Sequence, residues 1–181
     1  LERAEESGEA VDEKEKRQLA ILEGERLIEL GTIETQQSQY EEARAYFIRA
    51  LDLFQRLDHR AGEADAIGGL GNIDFAIEDI PSAIRRYTEA IAILQTIGHR
   101  RSEGNCIGNL GLVYQKLGDS KAALEHFTRA LTIAQDIGDM RFEGVQRGNL
   151  AGLYYQLADT STAVEQYTHA IQIARETGDK Q

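Results

Sequence analysis

The chain has 181 residues and carries 20 Lys and Arg against 31 Asp and Glu, which gives a formal net charge of −11. This acidic balance argues against a nucleic-acid backbone or an anionic membrane surface as the main partner. No run of about 18 apolar residues occurs, so we expect no membrane-spanning helix.

Cys106 is the single cysteine. One cysteine excludes a disulfide framework and a cysteine metal site. It fits a reducing compartment, so we expect a cytoplasmic protein.

An internal repeat of 40 residues dominates the sequence. It divides the chain into four units, residues 21–60, 61–100, 101–140 and 141–181, preceded by residues 1–20. Five or more positions keep the same type of residue in all four units, which is a strong signal of a repeat architecture. The clearest columns are Leu30, Leu70, Leu110 and Leu150; Ala43, Ala83, Ala123 and Ala163; and Phe47, Tyr87, Phe127 and Tyr167.

Residues 1–20 fit this repeat poorly, because Glu13 and Arg17 stand where the first unit has Leu53 and Leu57. We interpret them as a helical or disordered lead-in that merges with the first helix. The alternative is a tethered acidic peptide.

Each unit is predicted to form two helices, A and B. In the third unit they cover 101–117 and 120–137, and helix B has the apolar period of an amphipathic helix. Asp119 is a predicted N-cap, and Pro81 opens helix B of the second unit. Gly98, Gly138 and Gly178 stand where a helix ends in a left-handed residue.

The repeated pattern resembles the tetratricopeptide repeat. It consists of leucine–glycine, a tyrosine three residues on, and then alanine, an aromatic residue and alanine. The usual unit has about 34 residues, and 40-residue units resemble the LGN/Pins class and bacterial arrays. The third unit matches those arrays best, through Gly104, Asn105, Gly108, Asn109, Leu110, Gly111, Tyr114, Leu117, Gly118 and Asp119. The resemblance covers residues 21–180 and implies an all-α, right-handed α-solenoid of four helix–turn–helix repeats, with helices A on the concave face.

The first two units depart from this pattern. The motif tyrosine is present as Tyr114 and Tyr154 but is replaced by Glu34 and Asp74. These units are expected either to pack less regularly or to direct the two acids to solvent.

Glycines inside helix A need an explanation, because each costs roughly 1 kcal/mol relative to alanine. The resemblance implies that Gly71 and Gly111 pack against helix B. Gly68, Gly108 and Gly148 serve neighbouring helices in one interpretation and leave room for a ligand backbone in the other.

The resemblance also places ligand contacts on the concave helices A. A repeated asparagine supports this, because its amide can donate to and accept from an extended peptide. Arg101 and Arg141, at the groove edge, could pair with a carboxylate. The alternatives are inter-helix asparagines and solvated arginines. The candidate peptide-binding residues are Asn72, Phe75, Arg101, Asn105, Asn109, Leu112, Gln115, Lys116, Arg141, Asn149, Tyr155 and Gln156, and the same mapping includes Asp65, Gly69 and Gly152.

Signals for catalysis are weak. His59 and His99 recur at a loop position, His126 and His169 lack a repeated carboxylate partner, and Cys106 fits a core position. We therefore expect no catalytic site, metal or cofactor. The predicted function is a non-catalytic scaffold that binds a protein or extended peptide. The alternatives are a self-association module and a sensor segment of a larger signalling ATPase or caspase-like protein.

The last helix B lacks the polar face that ends a solenoid. We expect its apolar stripe to be covered by another repeat in a longer protein. In this chain alone, a second copy would cover it, most simply across a two-fold axis. The stripe consists of Ala163, Tyr167, Ala170, Ile171 and Ala174.

Overall fold

The computed structural model describes residues 2–178, with side chains from residue 12 onward. Over this range the protein is all-α, as predicted, with eight helices and no strand. The helices are α1 (Glu2–Gln36), α2 (Tyr40–Arg56), α3 (Arg60–Ala76), α4 (Ile80–Ile97), α5 (Arg100–Lys116), α6 (Ser120–Asp136), α7 (Met140–Gln156) and α8 (Thr160–Glu176).

The helix boundaries follow from local chemistry. The Asp119 carboxylate accepts a hydrogen bond from the Ala122 amide at 3.0 Å, which confirms the predicted N-cap of α6. Pro81 lies in the first turn of α4, where no amide donor is needed. Gly98 and Gly138, both with a φ of 68°, adopt the left-handed conformation predicted for them.

The helix α1 is longer than the others because it continues through the lead-in. It runs without a break from Glu2, so the described part of residues 1–20 is helical. The Arg17 guanidinium donates a hydrogen bond to the Leu57 carbonyl at 2.9 Å, which ties this extension to the turn after α2.

Each helix packs against the next one along the chain, and this builds a solenoid. In addition α1 contacts α3, α3 contacts α5, and α5 contacts α7, whereas the described helices α2, α4, α6 and α8 do not contact one another. The odd-numbered helices A therefore line the inner, concave side. None of the described helices combines the length and apolar character needed to cross a bilayer.

The repeated alanine and aromatic columns form the core between the helices. Phe47, Tyr87 and Phe127 are at most 2% exposed. A Cβ added to Gly111 would lie 2.5 Å from the Phe127 ring, and one added to Gly71 would lie 2.9 Å from the Tyr87 ring. These contacts confirm both as packing glycines.

Asp74 departs from the expectations for the motif tyrosine position. It is 2% exposed, and its carboxylate bridges Arg44 at 2.8 Å and Arg86 at 2.6 Å. The expectation that this acid faces solvent is wrong, because two arginines from the flanking helices B neutralise it inside the repeat.

Glu103 is a second buried acid, 1% exposed. Desolvation raises its pKa, but hydrogen bonds from Gln95 at 3.0 Å, Arg100 at 2.6 Å and Arg129 at 3.0 Å outweigh this. The net result is a pKa below the usual glutamate value. Glu103 therefore stays ionised at neutral pH and joins three helices.

Candidate functional site

The concave face is lined by one stripe of residues on each helix A. On α5 the stripe residues are three or four positions apart, so they lie within an arc of roughly 80° at about 100° per residue. The α5 stripe consists of Arg101, Asn105, Asn109, Leu112 and Lys116, and the corresponding α7 stripe of Arg141, Val145, Asn149, Gly152 and Gln156.

Asn109 and Asn72 connect α5 to α3. The Asn109 amide nitrogen donates to Asn72 Oδ1 at 2.9 Å, and the Tyr87 hydroxyl donates to the same oxygen at 2.7 Å. Burial raises the pKa of Tyr87, so its hydroxyl remains protonated and continues to donate. Asn109 is thus an inter-helix asparagine, while Asn72 Nδ2 and Asn109 Oδ1 remain available for a ligand.

A cavity of about 260 Å³ opens between α1, α3 and α5. It brings together three of the predicted site residues, Asn72, Asn105 and Asn109, with the additional side chains of Asp65 and Ser102. Asn105 is exposed and has no hydrogen-bond partner among the described residues. The cavity therefore offers amide donors and acceptors in a small volume.

Asp65 supplies the charge of this cavity. Its side chain is exposed at the mouth, yet the surrounding protein desolvates it and raises its pKa, and a hydrogen bond with Ser102 opposes this shift. Neither lysine nor arginine is among the described residues that line the cavity. The site therefore favours a ligand group that donates hydrogen bonds or carries positive charge.

The glycines beside the cavity differ in how closely neighbouring side chains approach them. A Cβ on Gly69 would lie 2.2 Å from the Phe47 ring, so Gly69 is required by packing. A Cβ on Gly108 would lie 2.9 Å from the Gln146 side-chain amide, which is the far end of a flexible side chain. A Cβ on Gly68 would lie 3.4 Å from the Cys106 sulfur, an ordinary contact. Gly68 is therefore not required by its neighbours and leaves open space in the cavity.

Cys106 packs beneath the cavity and is 7% exposed. Burial raises its pKa to about 12, so its sulfur is a protonated thiol at neutral pH. A buried thiol of this kind is not an activated nucleophile.

Other predicted residues join neighbouring repeats along the inner rim. The Lys116 ammonium lies 2.8 Å from the Glu78 carboxylate and 5.6 Å from the centre of the Phe75 ring. The Gln115 amide donates to Gln156 at 2.9 Å. These side chains are held by the chain itself, so a ligand would have to compete for them.

At the groove edge, Arg101 pairs with Asp139 at 2.7 Å, so its guanidinium already has a carboxylate within the chain. Arg141 is exposed and lies beside a different cavity, between α7 and α8. The structure therefore does not bring the two predicted arginines together with the asparagine cluster.

The remaining predicted residues are spread over α5 and α7. Leu112 is half-buried and packs against the core around Phe127. The Asn149 side-chain nitrogen donates to Gln146 Oε1 at 3.4 Å. The Tyr155 side chain is 67% exposed. Tyr155 is therefore the freest aromatic side chain of the predicted set.

Sequence reasoning missed three residues that line the cavity, Ile28, Thr32 and Ser102. Ile28 and Thr32 belong to α1, which lies against α3. The column Leu22, Gly62, Ser102 and Phe142 varies widely in size, and this variation is the one signal that points to Ser102.

The family profile described as "Tetratricopeptide repeat" matches residues 25–96 and 105–176. A search of curated proteins gives no significant match.

Solved structures resemble this fold at low sequence identity. A Rap protein complexed with Competence and Sporulation Factor has a TM-score of 0.82 at 19% identity, over 88% of this chain and 44% of that one. The Rap conjugation gene regulator of plasmid pLS20, in complex with the Phr* peptide, has a TM-score of 0.79 at 18% identity, over 88% and 44%.

A third similar structure is a signal-transduction ATPase with a tetratricopeptide repeat sensor from Pyrococcus horikoshii. It has a TM-score of 0.70 at 19% identity, over 86% of this chain and 24% of that one. The chain thus spans less than half the length of each of these three proteins.

Proposed function

This chain belongs to the tetratricopeptide-repeat family, and we propose that its concave face binds an extended peptide segment of a partner protein without catalysis. The cavity between α1, α3 and α5 is the centre of the proposed site. Its cluster of Asn72, Asn105 and Asn109 is the observation that carries the proposal.

Hydrogen-bonding capacity supports an extended peptide as the ligand. Such a peptide presents one donor and one acceptor at each residue, and asparagine amides can satisfy both. Asn105 has no partner among the described residues, so binding through it breaks no bond within the fold. Binding through Asn72 Nδ2 leaves intact the two bonds that its oxygen accepts.

Charge selects among peptides. Asp65 is desolvated at the cavity mouth, and the chain has a net charge of −11. A peptide with a lysine, an arginine or its free amino terminus near Asp65 would relieve the cost of that carboxylate and be attracted by the acidic protein. The proposed ligand is therefore a neutral or basic segment.

A similar fold is seen in complex with Competence and Sporulation Factor in one solved structure and with the Phr* peptide in another. The alternative proposal is that the chain is a sensor segment of a larger signalling protein. Of the two larger proteins considered for such a sensor, the likeness to the repeat sensor of the Pyrococcus horikoshii ATPase favours a signalling ATPase over a caspase-like protein. Both proposals require a ligand on the concave face, and they differ in whether ligand binding controls another domain.

The test is selection of peptides from a random library on the wild-type chain, followed by affinity measurements with single variants. Asn105→Ala should weaken the selected peptides at least tenfold, roughly 1.4 kcal/mol, without changing the melting temperature. Asp65→Asn should weaken the basic peptides more than the neutral ones. Thr128→Ala, on the exposed side of α6, is the matched control and should change nothing.

Peptides that bind both cavity variants as tightly as the wild type would contradict the proposed site. A parallel loss of stability and affinity in Asn105→Ala would assign a structural role to this side chain instead.

A further inference from the structure

The C-terminal end of the described solenoid exposes an aromatic position that is buried in the other three repeats. Tyr167 is 45% exposed, whereas Phe47, Tyr87 and Phe127 in the same column are at most 2% exposed. Ile171, one turn later on α8, is 52% exposed. Beside these residues lies a cavity of about 390 Å³ between α7 and α8.

Inside the chain, a helix A of the next repeat fills the corresponding space. A Cβ on Gly104 would lie 2.6 Å from the Phe142 ring of α7, and one on Gly108 would lie 2.9 Å from Gln146 of the same helix. A Cβ on Gly148, one repeat later, meets nothing within 4 Å. The end face therefore has the shape of an interface for a helix A.

The N-terminal end exposes the complementary half. Leu22 of α1 is 50% exposed, whereas Phe142 in its column is 6% exposed. Ile33 is 46% exposed, whereas its column mates Ile73 and Leu153 are fully buried. These column mates pack on the helix B of the preceding repeat, Ile73 beside Phe47 and Leu153 beside Phe127.

A pair of polar positions that recurs at each junction between repeats sets the register in which the two end faces would meet. At the internal junctions a glutamine of helix B donates to a glutamate of the next helix A, as in Gln95 to Glu103 at 3.0 Å and Gln135 to Glu143 at 3.2 Å. At the two ends of the chain, Arg175 on α8 occupies the position of the glutamine and Glu23 on α1 occupies the position of the glutamate. The glutamine–glutamate pair inside the chain, in which only the glutamate is charged, thus becomes a pair of opposite charges at the two ends.

We propose that copies of this chain associate head to tail, with α1 of one copy packed on α7 and α8 of the next in the position that a helix A takes within the chain. In this arrangement Ile33 covers Tyr167, Leu22 enters the cavity beside Gly144, and Glu23 accepts hydrogen bonds from Arg175. A charged pair of this kind is stronger than the glutamine–glutamate bond that it replaces.

The second copy is the favoured occupant because one chain carries both halves of the interface in matching register. A two-fold contact between two C-terminal faces would bury Tyr167 and Ile171 but would leave Leu22 and Ile33 exposed and Arg175 apart from Glu23. Head-to-tail contact is heterologous and does not close on itself, so assemblies should grow with protein concentration.

Sedimentation velocity and light scattering of the 181-residue chain test this directly. The wild type should form larger species as its concentration rises through the micromolar range. Leu22→Lys and Ile171→Lys should each be monomeric, and their equimolar mixture should form dimers and nothing larger, because only one intact junction remains. Gln36→Lys and Thr168→Lys are matched controls at positions exposed in every repeat, and they should assemble like the wild type.

A monomeric wild type at high micromolar concentration would overturn the proposal. A Leu22→Lys variant that still forms a closed dimer would also overturn it, in favour of the two-fold contact.

Charge reversal tests the register. Arg175→Glu and Glu23→Arg should each weaken association at least tenfold. A one-to-one mixture of the two single variants should recover it, because every junction between unlike copies pairs an arginine with a glutamate. The double variant should return to within about threefold of wild-type affinity, because the pair is restored with its charges exchanged. A double variant as weak as either single variant would show that this column does not meet across copies.

Discussion

Two glycines in the interiors of helices A should respond to alanine substitution with opposite changes in stability. Gly148 lies in the interior of α7, and a Cβ there meets nothing within 4 Å. Gly111 lies in the interior of α5, and a Cβ there would lie 2.5 Å from the Phe127 ring, which is fully buried.

The magnitudes follow from two terms. Alanine gains about 0.5–1 kcal/mol over glycine in a helix interior, and this gain applies to both positions. At Gly111 the new methyl group also overpacks a core that has no room for the ring to move, which costs about 1–3 kcal/mol. We therefore expect Gly148→Ala to stabilise the chain and Gly111→Ala to destabilise it, with a difference of about 1–3 kcal/mol between them.

Urea unfolding followed by far-ultraviolet circular dichroism is the assay, at a concentration low enough to keep the chain monomeric. Because repeat arrays can unfold in segments, the curves should be fitted with a nearest-neighbour model as well as a two-state one. If Gly148→Ala lost as much stability as Gly111→Ala, the free space at Gly148 and the packing explanation for Gly111 would both be refuted.

Three further substitutions probe the buried contacts. Leu110→Ala should cost about 2–5 kcal/mol by leaving a cavity between helices, and an unchanged thermal midpoint would contradict its burial. Asp74→Asn should lower the free energy of unfolding by about 2–3 kcal/mol. This is less than the loss of a fully buried ion pair, because the Arg44 and Arg86 side chains are 26% and 24% exposed, and a guanidinium titration of the single variant measures it. Glu103→Gln should be destabilising at neutral pH, and the difference in stability from the wild type should shrink as pH falls through the lowered pKa of Glu103, because its contribution requires the ionised form. Melting curves at neutral and acid pH measure this, and a difference that does not change with pH would contradict it.

The period of the sequence predicted the fold because every repeat solves the same packing problem. Columns of leucine, alanine and aromatic residues identified the core, and Asp119, Gly98 and Gly138 marked the ends of helices. The burial of Asp74 was not predictable in the same way. Its partners are arginines on the two flanking helices B, and neither arginine belongs to a repeated column.

The candidate site was predictable in part for a similar reason. Position within helix A placed Asn72, Asn105 and Asn109 on the concave face, and the structure brings the three to one cavity. It could not show that Asn109 already donates to Asn72, or that Arg101 pairs with Asp139, because both are contacts between side chains of adjacent repeats. Such contacts depend on the rotation between repeats, which a linear period does not encode.

Each described helix contacts only helices that are one or two places away in chain order, and this has a consequence for the dynamics of the protein. No contact between distant segments of the described chain holds the two ends together, so opening can begin at either end and stop at any junction. Amide hydrogen exchange should therefore be graded along the chain, slowest in α4 and α5 and fastest in the terminal helices. The same locality makes loop closure inexpensive during folding, so α4 and α5 are the natural place for an early nucleus from which order spreads outward.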